Sequence, residues 1–438
     1  MPGDIKRVFD CIGIGIGPSN LSLACLLKPV ADVSLRLLER RSSFVWHEGL
    51  LLPDATIQAA FLKDLVTLVD PTSRFSFLAY LQQQKRFYQF LNARFADVKR
   101  REFDQYFRWA CEQLDTLEFS RSVASVKFKE LFLVETEQGV SYLARNIVLG
   151  VGRLPSVPPC AQSKLCDTLL HSSQFLLSRA SLAGKRVVVV GGGQSGAELF
   201  LDFISRDGKA APSSCLWMTR RANFLPIDDS PFTNEFFTPG YAEYFYRLSP
   251  MVRFHQLNDQ KLASDGISME TLTKIYQAVY ESRHLQRNAI DISLRTSTQL
   301  TEVRQVAGKW QLVLLKTDTG VRELRDADVV ILATGYRHEN PSWLAPIAHR
   351  LEMAGEEMAL NSDFSAKWDG PSDSRIYVQN GGRAQWGVAD PNLSLISWRS
   401  GKIIASLAGR QVYDLDERLP MIDWMPETDD QIKDQALA

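Results

Sequence analysis

Two glycine-rich segments have the spacing of loops that bind pyrophosphate. The first, from Gly15 to Asn20, fits G-x-G-x-x-G except that Asn20 replaces the last glycine, and the second, from Gly191 to Gly196, is complete. In this motif the first glycine makes a tight turn, the second lets the backbone approach the phosphates, and the next helix N-terminus favours negative charge. The chain is therefore expected to bind two dinucleotides. The residues expected at these sites are Gly15, Gly17, Pro18, Ser19 and Asn20 in the first loop, and Gly191, Gly193, Gln194, Ser195, Gly196 and Glu198 in the second.

The residues that end the next strand of each unit differ in charge. Glu39 follows the first loop, and a carboxylate at this position accepts hydrogen bonds from an adenosine ribose, as in FAD and NAD sites. After the second loop the corresponding strand ends in Arg220 and Arg221, which suit the 2′-phosphate of NADPH. The opposite charges predict FAD at the first loop and NADPH at the second.

Apolar strand patterns precede both loops, at residues 8–14 and 187–190, and helical patterns follow them. Another apolar run, at 329–332, leads into Ala333-Thr334-Gly335, which is typical of flavoproteins with two dinucleotide sites. The predicted fold class is α/β, with two Rossmann-like dinucleotide-binding domains and a smaller, mostly helical substrate-binding region. We expect the FAD-binding domain at 1–165 and 340–438, and the NADPH-binding domain at 180–339, with 225–290 supplying the helical region.

Composition argues against several classes of protein. The 438 residues are 45% apolar and 23% charged, with a formal net charge of −1, so no long-range field favours nucleic acid. No signal peptide and no apolar run of about 18 residues is visible, which predicts a cytoplasmic protein without a membrane span. The six histidines lack metal-ligand spacing, so no metal is expected. No C-x-x-C pair is present, and a disulfide reductase, which would need Cys160 and Cys166 at the flavin, is disfavoured.

Several further blocks of sequence carry a family resemblance. They are IGIGPSNLSL at 14–23, FVWH at 44–47, FLKDLV at 61–66, DPTS at 70–73, GGGQSGAE at 191–198, DDSPFTNE at 228–235, ATGYR at 333–337 and DPNLSL at 390–395. In this order they resemble the microbial N-hydroxylating monooxygenases of siderophore biosynthesis, which act on lysine N6, ornithine N5 or diamines. The resemblance runs nearly from end to end of the chain.

The resemblance implies roles for residues near the flavin. Trp46 and Gln58 match positions that line the isoalloxazine ring, His47 lies beside Trp46 in the sequence, and Leu393 matches a position that touches the flavin. All four are therefore expected to contribute to FAD binding.

The resemblance also implies a substrate site. Lys63 matches the lysine that reaches an amino-acid carboxylate, Asn234 matches an asparagine that holds the α-end, and Ser394 matches a position near the reacting amine. Asp265 stands where ornithine hydroxylases have an asparagine, which argues against ornithine. For Asp265 a helix cap is an equal alternative to substrate binding.

The implied reaction is NADPH- and O2-dependent N-hydroxylation of a terminal primary amine through a C4a-hydroperoxyflavin, which serves hydroxamate siderophore synthesis. The blocks at 66–71 and 228–235 favour a small diamine, cadaverine or putrescine. Lys63 would suit a carboxylate, so L-lysine is the alternative. Members of this family often form dimers or tetramers, and a homo-oligomer is expected.

Two other classes stay open at this point. One is a flavin monooxygenase that oxidises sulfur or a ketone. The other is a non-catalytic flavin redox sensor, against which the intact second loop and Arg220-Arg221 argue.

Overall fold

A computed structural model of the chain describes residues 8–95, 97–285, 290–416 and 421–424. Its strands are β1 (Val8–Ile14), β2 (Leu35–Leu38), β3 (Leu117–Glu118), β4 (Val123–Phe128), β5 (Phe132–Thr136), β6 (Ser141–Leu149), β7 (Leu154–Pro155), β8 (Leu169–His171), β9 (Arg186–Val190), β10 (Ser214–Met218), β11 (Asp291–Arg295), β12 (Thr298–Val306), β13 (Lys309–Lys316), β14 (Arg322–Ala327), β15 (Val329–Leu332), β16 (Tyr336–Arg337), β17 (Met353–Ala354), β18 (Glu357–Met358) and β19 (Ile376–Val378). Its α-helices are α1 (Pro18–Leu27), α2 (Phe77–Gln83), α3 (Phe87–Ala93), α4 (Arg100–Glu112), α5 (Gln194–Ile204), α6 (Pro231–Asn234), α7 (Pro239–Arg247), α8 (Pro250–Asp259), α9 (Lys261–Asp265), α10 (Met269–His284), α11 (Ala345–Ala348), α12 (Arg383–Trp386) and α13 (Ile396–Ala408).

The first glycine loop follows β1, a strand of a seven-stranded sheet. Six strands have the order β3-β2-β1-β6-β5-β4, and the seventh, β19, pairs with β6. Strands β2, β1 and β6 are parallel, so that Ile14 lies opposite both Leu38 and Leu149. Because parallel strands end at the same edge, the loop after β1, Glu39 after β2 and Gly150 after β6 come together there.

The second glycine loop follows β9, a strand of a five-stranded sheet with the order β11-β10-β9-β15-β8. All neighbouring strands of this sheet are parallel. Val190 lies opposite Met218 and Leu332, which brings Gly191, Thr219 and Ala333 to one edge. Successive valines of β9 are buried on both faces, Val187 and Val189 in one core and Val188 and Val190 in another. Burial on both faces explains why this strand is continuously apolar.

The remaining elements connect or extend these sheets. Helices α6 to α10 lie between β10 and β11, within the predicted helical region at 225–290. Strands β7 and β16 form an antiparallel ribbon where the chain leaves the first sheet and returns to it, and β12-β13-β14 form an antiparallel sheet. The α/β fold class with two dinucleotide-binding sheets is confirmed.

The division into domains stays a prediction, but the second sheet begins earlier in the chain than the predicted NADPH-binding domain. Strand β8, at Leu169–His171, already pairs with β15 of the second sheet, before the predicted start at residue 180. Within the described ranges, no helix combines the length and apolar character that crossing a membrane requires.

Candidate active site

Both glycine loops open into one cavity of about 2130 Å³. The sequence-predicted residues that line it are Gly15, Gly17, Pro18, Ser19, Glu39, Trp46, His47, Gly191, Gly193, Gln194, Ser195, Arg220, Arg221, Asp265 and Leu393. A cavity of this size has room for two dinucleotides.

In the first loop, the backbone turns tightly and faces the cavity. Gly15 has φ +92°, and a Cβ on it would come within 2.5 Å of the Gly150 carbonyl oxygen, so only glycine fits. A Cβ on Gly17 would meet nothing within 4 Å, which means that Gly17 faces open space. No side chain of the described residues caps helix α1, which starts at Pro18. Its first N–H groups can therefore receive a pyrophosphate.

The second loop repeats this arrangement. Gly191 has φ +134°, and a Cβ there would overlap the carbonyl oxygen of Ala333. Gly193 faces open space, and helix α5, which starts at Gln194, has no side-chain cap among the described residues. By contrast, a serine side chain caps two other helices, Ser76 at α2 and Ser268 at α10. Both loops therefore fit a dinucleotide diphosphate.

Asn20 and Gly196 occupy the third position of the two loops, and neither lines the cavity. Asn20 is fully buried; its Nδ2 donates to Gly15 O at 2.8 Å, and its Oδ1 accepts from Gln379 Nε2 at 2.8 Å. A Cβ on Gly150 would overlap this amide. The Asn20 side chain therefore joins the loop to Gln379, which follows β19, and a contact of Asn20 with FAD stays a prediction.

Glu198 was also expected at the NADPH site, and the structure places it elsewhere. Its carboxylate is buried and accepts from both terminal nitrogens of Arg100, at 3.0 and 3.1 Å. Glu198 lies one turn further along α5 than Gln194, from which it accepts a hydrogen bond at 3.1 Å, and it does not line the cavity.

The residues expected at the two riboses do face the cavity. Glu39 accepts from the backbone N–H groups of Ile16 and Arg41, each at 3.0 Å, which fixes its carboxylate beside the first loop. Arg220 is exposed in the cavity wall, while Arg221 donates to the carbonyl oxygen of Asp265 at 2.7 Å. A carboxylate thus lies beside the first loop and two guanidinium groups lie beside the second.

An aromatic group forms the wall between the loops. The ring of His47 lies 4.9 Å from that of Trp46 and 6.3 Å from that of Tyr336, measured between centroids. Enclosure by protein, and then the nearby Arg100, lower the pKa of His47 to about 4, although its ring borders the open cavity. The lowered pKa favours the neutral form of the His47 imidazole at physiological pH, although the side chain is exposed in the cavity.

Four other predicted residues do not line the cavity: Gln58, Lys63, Asn234 and Ser394. Gln58 is exposed, and its contact with the flavin ring stays a prediction. Ser394 is buried, and its hydroxyl and N–H both donate to Asn392 Oδ1, at 2.8 and 2.9 Å. It therefore stabilises the turn at Leu393–Leu395, whose Leu393 does face the cavity.

Lys63 and the segment of Asn234 come together beside the cavity. The Nζ of Lys63 lies 5.8 Å from the ring centroid of Phe237, three residues after Asn234. Burial lowers the pKa of Lys63, and among the described residues no carboxylate lies within ion-pairing distance of its Nζ. Asn234 is exposed and donates to the carbonyl oxygen of Asp229 at 2.9 Å. A half-buried cation without a counter-ion is available to an anionic ligand group.

Asp265 ends helix α9 and lines the cavity, and its carboxylate lies 4.0 Å from Arg383. Ser268, not Asp265, caps α10, since its hydroxyl accepts from the N–H of Thr271 at 3.3 Å. The helix-cap alternative for Asp265 is therefore wrong.

Sequence reasoning missed Asn380, which lines the cavity beside the first loop. Its Oδ1 accepts from Ser19 Oγ at 3.2 Å and from the buried Arg399 at 2.7 Å. Arg399 in turn pairs with Asp390 at 2.6 Å, fully out of solvent. The sequence contained a signal for this residue, because Asn380 stands in the turn sequence Gln-Asn-Gly-Gly. Its φ of +59° is one that asparagine adopts more readily than most residues.

Comparison with known proteins assigns this site to a family. The family model described as L-lysine 6-monooxygenase/L-ornithine 5-monooxygenase matches residues 7–338. The L-lysine N6-monooxygenase of Escherichia coli is 39% identical over 429 residues, which cover 97% of this chain and 100% of that protein.

Two solved structures share the whole architecture. The cadaverine monooxygenase of Erwinia amylovora, bound to FAD, has a TM-score of 0.89 and 30% identity, covering 97% of this chain and 99% of that one. The ornithine N-hydroxylase of Kutzneria sp. 744, with reduced FAD, NADP+ and L-ornithine, has a TM-score of 0.85 and 27% identity, covering 92% and 99%. The chain therefore belongs to the L-lysine 6-monooxygenase/L-ornithine 5-monooxygenase family and is a flavin-dependent N-hydroxylating monooxygenase.

Proposed function

We propose that this protein binds FAD and NADPH in its central cavity and hydroxylates the terminal primary amine of a short aliphatic substrate for siderophore synthesis. The observation that carries the proposal is the single cavity that receives two uncapped helix N-termini, with an acid at one ribose position and arginines at the other. The bound cofactors would supply hydride transfer and O2 activation, while the residues of the cavity would orient the substrate and exclude water.

The cofactors are assigned to the cavity residues by loop. FAD is assigned to Gly15, Gly17, Pro18, Ser19, Glu39, Trp46, His47 and Leu393, and NADPH to Gly191, Gly193, Gln194, Ser195, Arg220 and Arg221. On this assignment residues 1–165 and 340–438 form the FAD-binding domain and 180–339 the NADPH-binding domain. A homo-oligomer and a cytoplasmic location stay predictions.

L-lysine is the first candidate substrate, because Lys63 presents a half-buried charge with no counter-ion in the described part of the chain. A substrate carboxylate would supply that counter-ion, and Asn234, a short distance along the neighbouring segment, would hold the same end. The substrate amine must lose its proton before it reacts, and its usual pKa is near 10.4. Transfer into the cavity, away from water, lowers that pKa.

The diamine prediction, cadaverine or putrescine, is the second candidate, because acidic side chains lie near the segment that contains Asn234. Burial, and then Glu270 and Asp229, raise the pKa of Asp97, so these three acidic side chains lie near one another. The side-chain amide of Asn234 also donates a hydrogen bond to the backbone carbonyl oxygen of Asp229. Such a group of acids suits a second ammonium rather than a carboxylate.

Steady-state formation of hydroxylamine from L-lysine, cadaverine, putrescine and L-ornithine tests the proposal. If none of these amines yields a hydroxylamine while a thioether or ketone is oxidised, N-hydroxylation is wrong. Lys63→Met separates the two candidates: for L-lysine we expect kcat/KM to fall about 10- to 150-fold, the worth of one charge-assisted contact, with diamines little changed. Lys127→Met, which removes an exposed lysine paired with Glu135, is the control.

A further inference from the structure

One polar network crosses from the flavin side of the cavity to the NADPH side. Helix α4 begins at Arg100, whose guanidinium donates to the carbonyl oxygens of Leu50 at 2.8 Å and Thr56 at 3.3 Å. The same guanidinium makes a bidentate ion pair with Glu198 of α5. The side chains are only 13% and 7% exposed, so the pair is shielded from solvent and salt.

The network continues into the second glycine loop. Gln194, the first residue of α5, donates through Nε2 to Glu198 at 3.1 Å and to Thr271 Oγ1 at 3.2 Å. Its Oε1 accepts from the backbone N–H of Ser268 at 2.8 Å. Gln194 is also a cavity residue, directly after Gly193. We call these residues, Arg100, Glu198, Gln194 and Ser268, the Arg100–Ser268 network.

We propose that Arg100, Glu198 and Gln194 are positioning residues that hold the NADPH loop at a set distance from the flavin side and from the start of helix α10. The inference rests on the proposed function. The network joins three separate elements, α4, α5 and the turn before α10, and its member Gln194 lines the cavity directly after Gly193 of the second loop.

The geometry explains why such a role would need an ion pair. A bidentate guanidinium–carboxylate contact fixes both distance and angle between two helices, which an apolar contact does not. Hydride transfer depends steeply on distance, and a displacement of about 1 Å can reduce a rate by about 100-fold. Removal of either charge leaves the other buried and unpaired, so each single change should disturb the loop.

Glu198→Gln, Arg100→Met and the double variant test the network. Asp202→Asn is the matched control, because Asp202 lies one turn further along α5 and pairs within that helix with Arg206 at 2.7 Å. Binding of NADP+ is measured by calorimetry and anaerobic reduction of the flavin by NADPH is measured in a stopped-flow instrument. Each single variant should weaken NADP+ binding or slow reduction by at least about tenfold, with FAD content unchanged, whereas Asp202→Asn should match the wild type.

The double variant should be no worse than the poorer single variant, because the two residues act as one unit. Wild-type binding and reduction in Glu198→Gln would overturn the inference. If Glu198→Gln fails to fold, Glu198→Asp keeps the charge with a shorter reach, and it should slow reduction while leaving stability close to wild type.

Gln194→Met supplies a readout that needs no catalysis. Loss of its Oε1 should speed hydrogen exchange at the Ser268 amide, and unchanged protection there would contradict the network. If the wild type hydroxylates no amine but its flavin is reduced by NADPH, the proposed function fails and the positioning test still applies. If NADPH does not reduce the flavin at all, exchange at Ser268 still reports on the network.

Discussion

In both glycine loops the first glycine lies at positive φ against a backbone carbonyl, Gly15 against Gly150 and Gly191 against Ala333. The loops differ at the third motif position. In the second loop, a Cβ on Gly196 would overlap the carbonyl oxygen of Gly191, so a glycine is required there. In the first loop Asn20 occupies the place, and its amide bonds to Gly15 and Gln379.

The difference shows that the third position of the motif can be packed in two ways. In the second loop, Gly196 has no side chain, and this allows close contact with the backbone of the same loop. In the first loop, the Asn20 side chain fills this position. Its placement requires a residue without a side chain at Gly150 and a hydrogen bond from Gln379, which is distant in the sequence. A change at the third position should therefore have local consequences in one loop and distributed consequences in the other.

The largest effect is expected from Gly196→Ala. The new methyl would overlap a backbone oxygen that cannot move aside, so the free energy of unfolding should fall by about 1–3 kcal/mol or more, and NADPH should no longer reduce the flavin. Urea unfolding and anaerobic reduction measure the two effects. Gly193→Ala is the control: its Cβ meets nothing within 4 Å, so it should weaken NADP+ binding without loss of stability. Equal stability of the two variants would contradict this account.

Next in size is a coupled pair in the first loop. Asn20→Gly leaves the buried Gln379 amide without its acceptor, which should lower the free energy of unfolding by about 1–3 kcal/mol. Gly150→Ala should be destabilising in the wild type, because its methyl overlaps Asn20, but tolerated in Asn20→Gly, where that space is empty. Chemical denaturation of the four proteins gives the coupling energy, and additive effects would show that Asn20 and Gly150 do not depend on one another.

A smaller effect, on coenzyme choice, is expected from Arg220→Ala. Loss of one charged contact to the 2′-phosphate should raise the dissociation constant for NADPH about 10- to 150-fold and leave NADH unaffected. Arg220 suits this test better than Arg221, whose guanidinium also holds the Asp265 carbonyl. Steady-state KM values for both coenzymes measure the preference; an unchanged ratio would place the 2′-phosphate elsewhere.

The smallest effect concerns pH and the flavin-side wall. The pKa of His47 is lowered from its usual 6.5 to about 4, so between these values the unfolded chain binds a proton that the folded protein does not. Stability should therefore decrease as pH falls from 6.5 towards 4. His47→Gln removes this contribution, and its apo-protein should lose less stability than wild type over that window. Parallel urea-unfolding curves at each pH would contradict a lowered pKa.

Local pattern was enough to predict the loops, the strands that precede them and the charges at the ribose positions. These features depend on neighbours in the sequence, since a strand, a turn and a helix N-terminus form one continuous unit. The parallel pairing of β1 with β2 and β6 then brings Glu39 to the loop without further information.

The side chains of Asn20 and Glu198 were predicted less well. Both belong to the motif, yet one turns into the first sheet and the other towards Arg100. Gln194 and Glu198 are four residues apart, so a shared helix face was foreseeable. Which element that face meets depends on how the two sheets pack together, and no local spacing encodes it.

The sequence by itself determined that two dinucleotide loops of opposite ribose charge are present, because motif and charge are properties of short segments. Only the tertiary structure decided that the loops share one cavity, that Lys63 lies beside the segment of Asn234, and that Arg100 reaches Glu198. Such contacts join residues far apart in the chain, and long-range packing of buried surfaces, rather than local propensity, sets their distances.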